Sequence, residues 1–268
     1  MVESAITSAP PLVSKVRIGD IQAGHNVFIT LGECTAASKY AGKVEAFFEE
    51  YLSSENMLGR VPFGGRNSEL ALLDSWLSDP EAEQRFLVTA PAGRGKSALL
   101  VRWTESLKAR GFSVADVGPW EIVFVPISVR YETHRPEIFY EMIAARLADA
   151  LCAELSSTQT DKATYYADQC RILLRRIVDR ALRTLIVIDG IDEALGDRFN
   201  FDWLPRNVGS TVRVLLSARL LVGDHDSSGW IRRLRWDQGF RVRTHQLSAL
   251  DSMASLISLF KRVRLSMC

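Results

Sequence analysis

Ala90-Pro-Ala-Gly-Arg-Gly-Lys-Ser97 follows a short apolar run, Arg85 to Thr89, and leads into an apolar helical pattern that reaches about Arg110. The spacing is that of a phosphate-binding loop, Gly-x-x-x-x-Gly-Lys-Ser/Thr, with Ala90 in place of the first glycine. Ala90 closes a strand, where no positive φ is needed. Gly93 and Gly95 let successive backbone N–H groups turn inward as an anion-binding nest. The helix that follows adds its positive N-terminal end. Lys96 is set to reach the β- and γ-phosphates, and the Ser97 hydroxyl to ligate Mg2+. Ala92, Gly93, Arg94, Gly95, Lys96, Ser97 and Ala98 are the expected nucleotide-contacting residues.

A second stretch supplies the other half of such a site: Leu185-Ile-Val-Ile-Asp-Gly-Ile-Asp-Glu193. Asp189 follows four apolar residues, the position of a Mg2+-organising carboxylate at a strand end. Asp192 and Glu193 come next, and either is a candidate to polarise the attacking water. One strand further on, Leu215-Leu-Ser-Ala-Arg219 ends in an arginine. In a doubly wound sheet ligands sit at the carboxyl ends of the strands, so Arg219 is expected to face the γ-phosphate.

Around these stretches the chain alternates strand and helix. Apolar strands are expected over Glu121–Val129, Thr184–Ile188, Val212–Ser217 and Val242–Leu247. Pro126 predicts that the first of these lies at an edge or ends there. Helices are expected over Glu69–Leu77, from Pro136 to Leu151, over Tyr165–Leu182 and over Asp251–Val263. Arg171, Arg175 and Arg176 form a solvated face on the third of these. Before them, Lys15–Thr30 reads as a short β-hairpin and Ala37–Leu52 as a helix with apolar residues at three- and four-residue spacing. Residues 1–14 are rich in Ser, Ala and Pro and are expected to be loose. Ser53 to Pro62 reads as a linker. The fold class is α/β: a three-layer α/β/α P-loop NTPase sandwich with a mainly parallel sheet, plus a small N-terminal hairpin-helix element. The expected domains are 1–60 for that element and its linker and 61–268 for the NTPase.

Lys and Arg number 33 against 32 Asp and Glu in 268 residues, which gives no global pull toward nucleic acid or membrane. No apolar run is long enough to span a bilayer and no secretory signal is visible. Cys34, Cys152, Cys170 and Cys268 are too scattered to bind a metal and read as reduced thiols of a cytoplasmic protein, two of them on helices. Trp76 and Trp103 read as core or interface. His25, His134, His225 and His245 have no ligand spacing.

Together, the loop at 90–97, the Asp189-Gly-Ile-Asp-Glu193 signature and Leu215–Arg219 resemble the STAND class of P-loop ATPases, most closely its NACHT-type members. The mark of that class is a small residue after the acid of the second motif, with further acids three and four positions on. Phe63-Gly-Gly-Arg66 with Glu69-Leu70 resembles the segment that precedes this domain and packs near adenine, with Asn67 where the family has Glu. That resemblance adds Arg66 to the nucleotide-binding set. It implies an ATP-binding, slowly hydrolysing signalling switch, with nucleotide-dependent self-association, an effector or sensor partner, and roles in defence for bacterial members. Family members continue into a lid, a winged-helix domain and a repeat sensor. This chain is therefore expected to be a truncated member.

Two alternatives stay open. A nucleic-acid-dependent ATPase would use Trp230, Arg232, Arg233, Arg235, Trp236, Arg241 and Arg243 as a stacking-and-phosphate surface. Balanced charge favours packed indoles and solvated arginines instead. A nucleotide-binding scaffold without turnover is the second alternative. No Asn-Lys-x-Asp motif marks guanine, so ATP with Mg2+ is the expected ligand.

Overall fold

The structure is a computed structural model, and it describes residues 16–18, 29–31, 38–52, 63–110, 120–158, 160–194, 200–205 and 208–250. The first strands, β1 (Val16–Ile18) and β2 (Ile29–Leu31), pair antiparallel with Val16 opposite Leu31, as the hairpin reading expected. Helix α1 (Ser38–Leu52) follows. Its apolar face, Tyr40, Val44, Phe47 and Phe48, is buried in the main core.

α2 (Asn67–Ser78) leads into β3 (Arg85–Ala90), and α3 (Lys96–Ala109) leads to β4 (Glu121–Pro126). A helical pair, α4 (Pro136–Ala150) and α5 (Lys162–Asp179), connects to β5 (Thr184–Asp189). A 3-10 turn over Ile191–Glu193 is followed by β6 (Val212–Arg219), α6 (Ser228–Arg233) and β7 (Val242–Gln246).

β3 to β7 form one parallel sheet in the order β4-β5-β6-β3-β7. Every residue of β3 and β5 is buried, the condition that selects unbroken apolar runs over alternating ones. β4 is an edge strand and stops at Pro126, which brings no N–H to a ladder. Right-handed crossovers put α3 on one face and α4 with α5 on the other. α1 packs on α3 and β4. Helices therefore flank the parallel sheet on both faces, the α/β/α fold the alternation predicted.

Trp76 and Trp103 are fully buried, with their indole N–H groups donating to the Glu83 carbonyl (2.6 Å) and Asp74 (2.8 Å). α5 buries Tyr166, Cys170, Leu173, Leu174 and Ile177 and exposes Arg171, Arg175 and Arg176. Cys152 lies just past the end of α4, at φ 48°, and not within a helix. Cys152 and Cys170 are free thiols. α6 was not expected, because its six residues are too short for a helical period to register. Among the described residues no helix is long and apolar enough to cross a membrane. The helix expected over 251–263, the stretch 1–14, the linker 53–62, His25, Cys34, Cys268 and the chain end lie outside the described residues.

Candidate functional site

The parallel sheet sends the carboxyl ends of β3, β5 and β6 to one edge, and the loop residues and acids meet there. The phosphate loop leaves β3 at Ala90, whose carbonyl accepts a hydrogen bond from Leu220 N–H (3.0 Å) and so ties the loop base to the end of β6. Gly93 and Gly95 adopt φ of 73° and 81°, the left-handed conformations an inward-turning nest requires. Lys96 opens α3 and is buried. Its ammonium folds back on the loop, donating to the carbonyls of Ala90 (3.2 Å) and Pro91 (3.5 Å). Burial pulls the Lys96 pKa below its ordinary value. Nearby Arg219 acts the same way, against the opposing pull of Asp192 and Asp189.

Asp189 ends β5 and is buried. Ser217 Oγ donates to Asp189 Oδ1 and accepts from the Gly190 N–H (3.0 Å). Ser97 at the head of α3 lines the same cavity as this carboxylate. Burial raises the Asp189 pKa above the ordinary carboxylate value despite the hydrogen bond from Ser217 and the charge of Lys96. The two residues expected to hold Mg2+ thus face one cavity. A hydroxyl and a carboxylate are hard oxygen donors, and Mg2+ takes one or two such groups, completing its shell with waters and substrate phosphates. Among the described residues no cluster of three His, Cys, Asp or Glu side chains could hold a metal by itself, so phosphate oxygens would be needed. The donor set fits the ion on those terms.

Arg219 closes the other side. Its N–H and Nε bond the two Asp192 oxygens (2.8 and 3.2 Å), and its terminal nitrogen bonds Glu193 Oε1 (3.0 Å). Val129 N–H donates to Glu193 Oε2 (2.9 Å). Every carboxylate oxygen of the two candidate catalytic acids therefore has a partner. The indole of Trp230 donates to the Arg219 carbonyl (2.7 Å) and fixes this end of β6.

These groups line a cavity of about 510 Å³. Gly93, Arg94, Gly95, Lys96, Ser97, Ala98, Asp189, Asp192, Glu193 and Arg219 all face it. Ala92 is exposed and Arg66 is buried, and neither lines it. The Arg66 guanidinium is held by Glu69 (2.6 Å) and by the carbonyls of Arg94 and Ser248 (both 2.9 Å). It grips the back of the phosphate loop. Burial pushes the Glu69 pKa up, but the bonds from Ser68 and Arg66 outweigh it and hold the group below its ordinary value.

Ser217, Arg130, Glu50 and Tyr51 are among the lining residues that sequence reasoning missed. Ser217 had a signal, since it lies two positions before Arg219 on one strand and so on the same face. The others come from the end of β4 and from α1, whose docking no local pattern encodes.

The aromatic-basic segment does not form a stacking surface. Trp230 and Trp236 are 4% and 3% exposed. Arg233 lies 5.5 Å from the centre of the Trp230 ring and pairs with Asp224 (2.9 Å), and Arg85 packs against Trp236. No indole face is free for a base.

A family model described as Nephrocystin 3, N-terminal matches residues 69–219, more than half of the chain and the whole span from Glu69 to Arg219. The chain belongs to the Nephrocystin 3, N-terminal family. The Nephrocystin 3 match begins with the acid that holds Arg66 and ends with the arginine that holds Asp192 and Glu193. It therefore takes in both the loop at 90–97 and the acidic strand end at 189–193, and the chain carries a P-loop NTPase fold. No curated protein matches the sequence. Among solved structures, the Aeropyrum pernix ORC1 protein in complex with DNA is 18% identical at a TM-score of 0.47, covering 76% of this chain and 50% of that one. Drosophila ORC bound to DNA is 15% identical at a TM-score of 0.43, covering 89% and 52%. AMPPCP-bound DnaA from Aquifex aeolicus is 13% identical at 0.38, covering 81% and 53%. The chain spans about half the length of each of them.

Proposed function

We propose that this chain is an ATP-binding, slowly hydrolysing switch of the STAND/NACHT type, with residues 61–268 as its NTPase domain. The observation that supports it most is one cavity lined together by the loop at 93–98, the Ser97 hydroxyl, Lys96 and Asp189, the groups a Mg2+-bound triphosphate needs. In this reading the nest at 93–98 and Lys96 hold the β- and γ-phosphates, and Ser97 and Asp189 hold Mg2+. The bound ion neutralises phosphate charge. Arg219 lies across the cavity as a partner for the γ-phosphate.

Hydrolysis adds water to the γ-phosphorus as its bond to the bridging oxygen breaks, releasing ADP and phosphate. The water's proton passes to Asp192 or Glu193. Every carboxylate oxygen of both acids is already engaged, three of the four by Arg219 and the fourth by the Val129 N–H. That arrangement favours slow turnover and suits a switch whose state is set by which nucleotide it holds. It also keeps the scaffold without turnover as the second reading. Nucleotide-dependent self-association and an effector partner belong to the same proposal, and light scattering in ATP, ADP and no nucleotide tests the former.

Calorimetric titration tests the core claim. Wild-type protein binds ATP with Mg2+. Lys96→Ala weakens it about 10- to 100-fold, the worth of charge-assisted hydrogen bonds to phosphate. Asp189→Asn keeps binding but loses its Mg2+ dependence. Unchanged affinity in Lys96→Ala sinks the reading. Phosphate release that is absent in wild-type protein leaves the scaffold.

A further inference from the structure

The amino ends of β3, β6 and β7 meet at the edge of the sheet opposite the phosphate loop. A second cavity, of about 450 Å³, opens there. Two of the side chains that line it are arginines the strands bury. Arg85 opens β3 and Arg213 is the second residue of β6, and each is 2% exposed. The Arg85 guanidinium lies 4.1 Å from the centre of the Phe240 ring and donates to the Pro205 carbonyl (2.8 Å). Burial pulls its pKa down to about 10.

The terminal nitrogens of Arg213 donate to the carbonyls of Ser210 (3.3 Å), Asp79 (3.0 Å) and Pro80 (3.1 Å). These bonds tie the connector between α2 and β3 to β6. Among the described residues its hydrogen-bond partners are all backbone carbonyls, which carry partial charge only, and its buried Nε–H has no partner. A buried cation is expensive unless an anion and hydrogen bonds both meet it. Burial pulls the Arg213 pKa below its ordinary value, against the pull of Asp79, Glu81 and Glu83. Those acids have other partners: Asp79 accepts from the Glu81 N–H (2.9 Å), and Glu83 faces Arg241 at 3.8 Å.

Charge decides what the cavity suits. Arg85, Arg213 and Arg241 line it with Glu81 and Glu83, three guanidinium groups against two carboxylates. One positive charge is left over. A single carboxylate balances it, while a phosphate dianion overshoots. Phe240, Pro80 and Ala82 add apolar wall for an organic body, and the volume is that of a small-molecule site.

We propose that this cavity binds a small organic carboxylate, with the Arg213 Nε–H as its anchoring donor and Phe240 against its body. The site lies at the other end of the strands from the nucleotide cavity and does not rest on the ATP reading.

Sodium benzoate titrated into the whole chain tests it, followed by the arginine Nε–H signals in proton–nitrogen NMR spectra. Benzoate should shift one signal saturably, the one that Arg213→Lys removes. Benzamide, which has the same shape without the charge, and inorganic phosphate should not shift it. Gln84→Glu adds a carboxylate among the lining residues with almost no change of shape. It should weaken benzoate about 10-fold or more, the worth of a charge-assisted hydrogen bond. Lys96→Ala should bind benzoate like wild type. If Arg213→Lys does not fold, the rise in Tm with benzoate, compared between wild type and Gln84→Glu, gives the same decision. No saturable shift or rise in wild type overturns the proposal, and so does benzamide or phosphate acting as well as benzoate. Undiminished binding in Gln84→Glu overturns it too. Loss of binding in Lys96→Ala would place the benzoate at the phosphate loop and sink the second site while leaving the first.

Discussion

Arg66 illustrates how one buried side chain can set a loop without touching ligand. Its guanidinium joins Glu69, the Arg94 carbonyl of the phosphate loop and the Ser248 carbonyl beyond β7. Both members of the ion pair are almost wholly buried, with side chains 3% and 10% exposed. Removing one partner leaves an uncompensated charge in the interior, so Arg66→Ala should destabilise the fold by about 3 kcal/mol in urea denaturation. ATP affinity should weaken too, because Arg94 loses its tether. The Glu69 pKa lies below its ordinary value in the folded state. Its contribution is therefore complete above the ordinary carboxylate range and disappears as pH falls through the lowered value. The gap between wild type and Arg66→Ala should narrow in acid, and a gap independent of pH would contradict the pairing.

At the scale of elements, the junction of β4 and β5 decides where Asp189 points. Ile127 N–H donates to the Asp189 carbonyl (2.8 Å), and the chain turns at Gly190 with φ 82°. A Cβ there would stand 2.7 Å from the Ile127 carbonyl oxygen, a backbone atom that cannot swing away. Gly93 has a similar φ of 73° but open space around a Cβ. Gly93→Ala should therefore cost only the left-handed strain, about 1 kcal/mol, and Gly190→Ala about 3 kcal/mol or more with loss of Mg2+-dependent binding. Thermal denaturation of the two variants compares them, and equal losses would refute the clash. This junction also marks what a sequence can carry. Strand ends and the acids on them were legible because burial on both faces demands unbroken apolar runs, and the polar residue that ends such a run must be at the sheet edge. The small residue after Asp189 was legible as a family mark, while its cause, a carbonyl on the neighbouring strand, was not. α1 was legible as a helix with an apolar face. Its docking on α3 and β4 was not, because periodicity says which side is buried and nothing about against what.

Across the whole molecule, the cavity sets a charge balance that ligand must respect. Arg94, Lys96, Arg130 and Arg219 face Glu50, Asp189, Asp192 and Glu193, four cations against four acids. A triphosphate brings several negative charges to a site with none to spare on the positive side, so a divalent cation should be a condition of tight binding. Saturating ligand at about 100 times its Kd adds about 2.7 kcal/mol of stability, a rise of about 5–10 °C in Tm for a domain of this size. Part of that rise should depend on pH. Burial raises the Asp189 pKa, so at pH values between the ordinary carboxylate range and the raised value the folded apo protein holds a proton there that the unfolded chain has released. The stability this proton gives is full at low pH and is lost as pH rises through the raised value. Mg2+ needs the ionised form and works in the opposite direction. The Mg2+-dependent part of the Tm rise should therefore shrink as pH is lowered, beginning above the ordinary carboxylate range, while the rise from ATP in EDTA shows no such step. Asp189→Asn should abolish both the step and the Mg2+ increment. Thermal scans that step the pH down from neutrality through the ordinary carboxylate range, with ATP in Mg2+ or in EDTA, measure the difference directly. An increment that stays flat across that range in wild-type protein would mean that Asp189 is not the group that meets the metal.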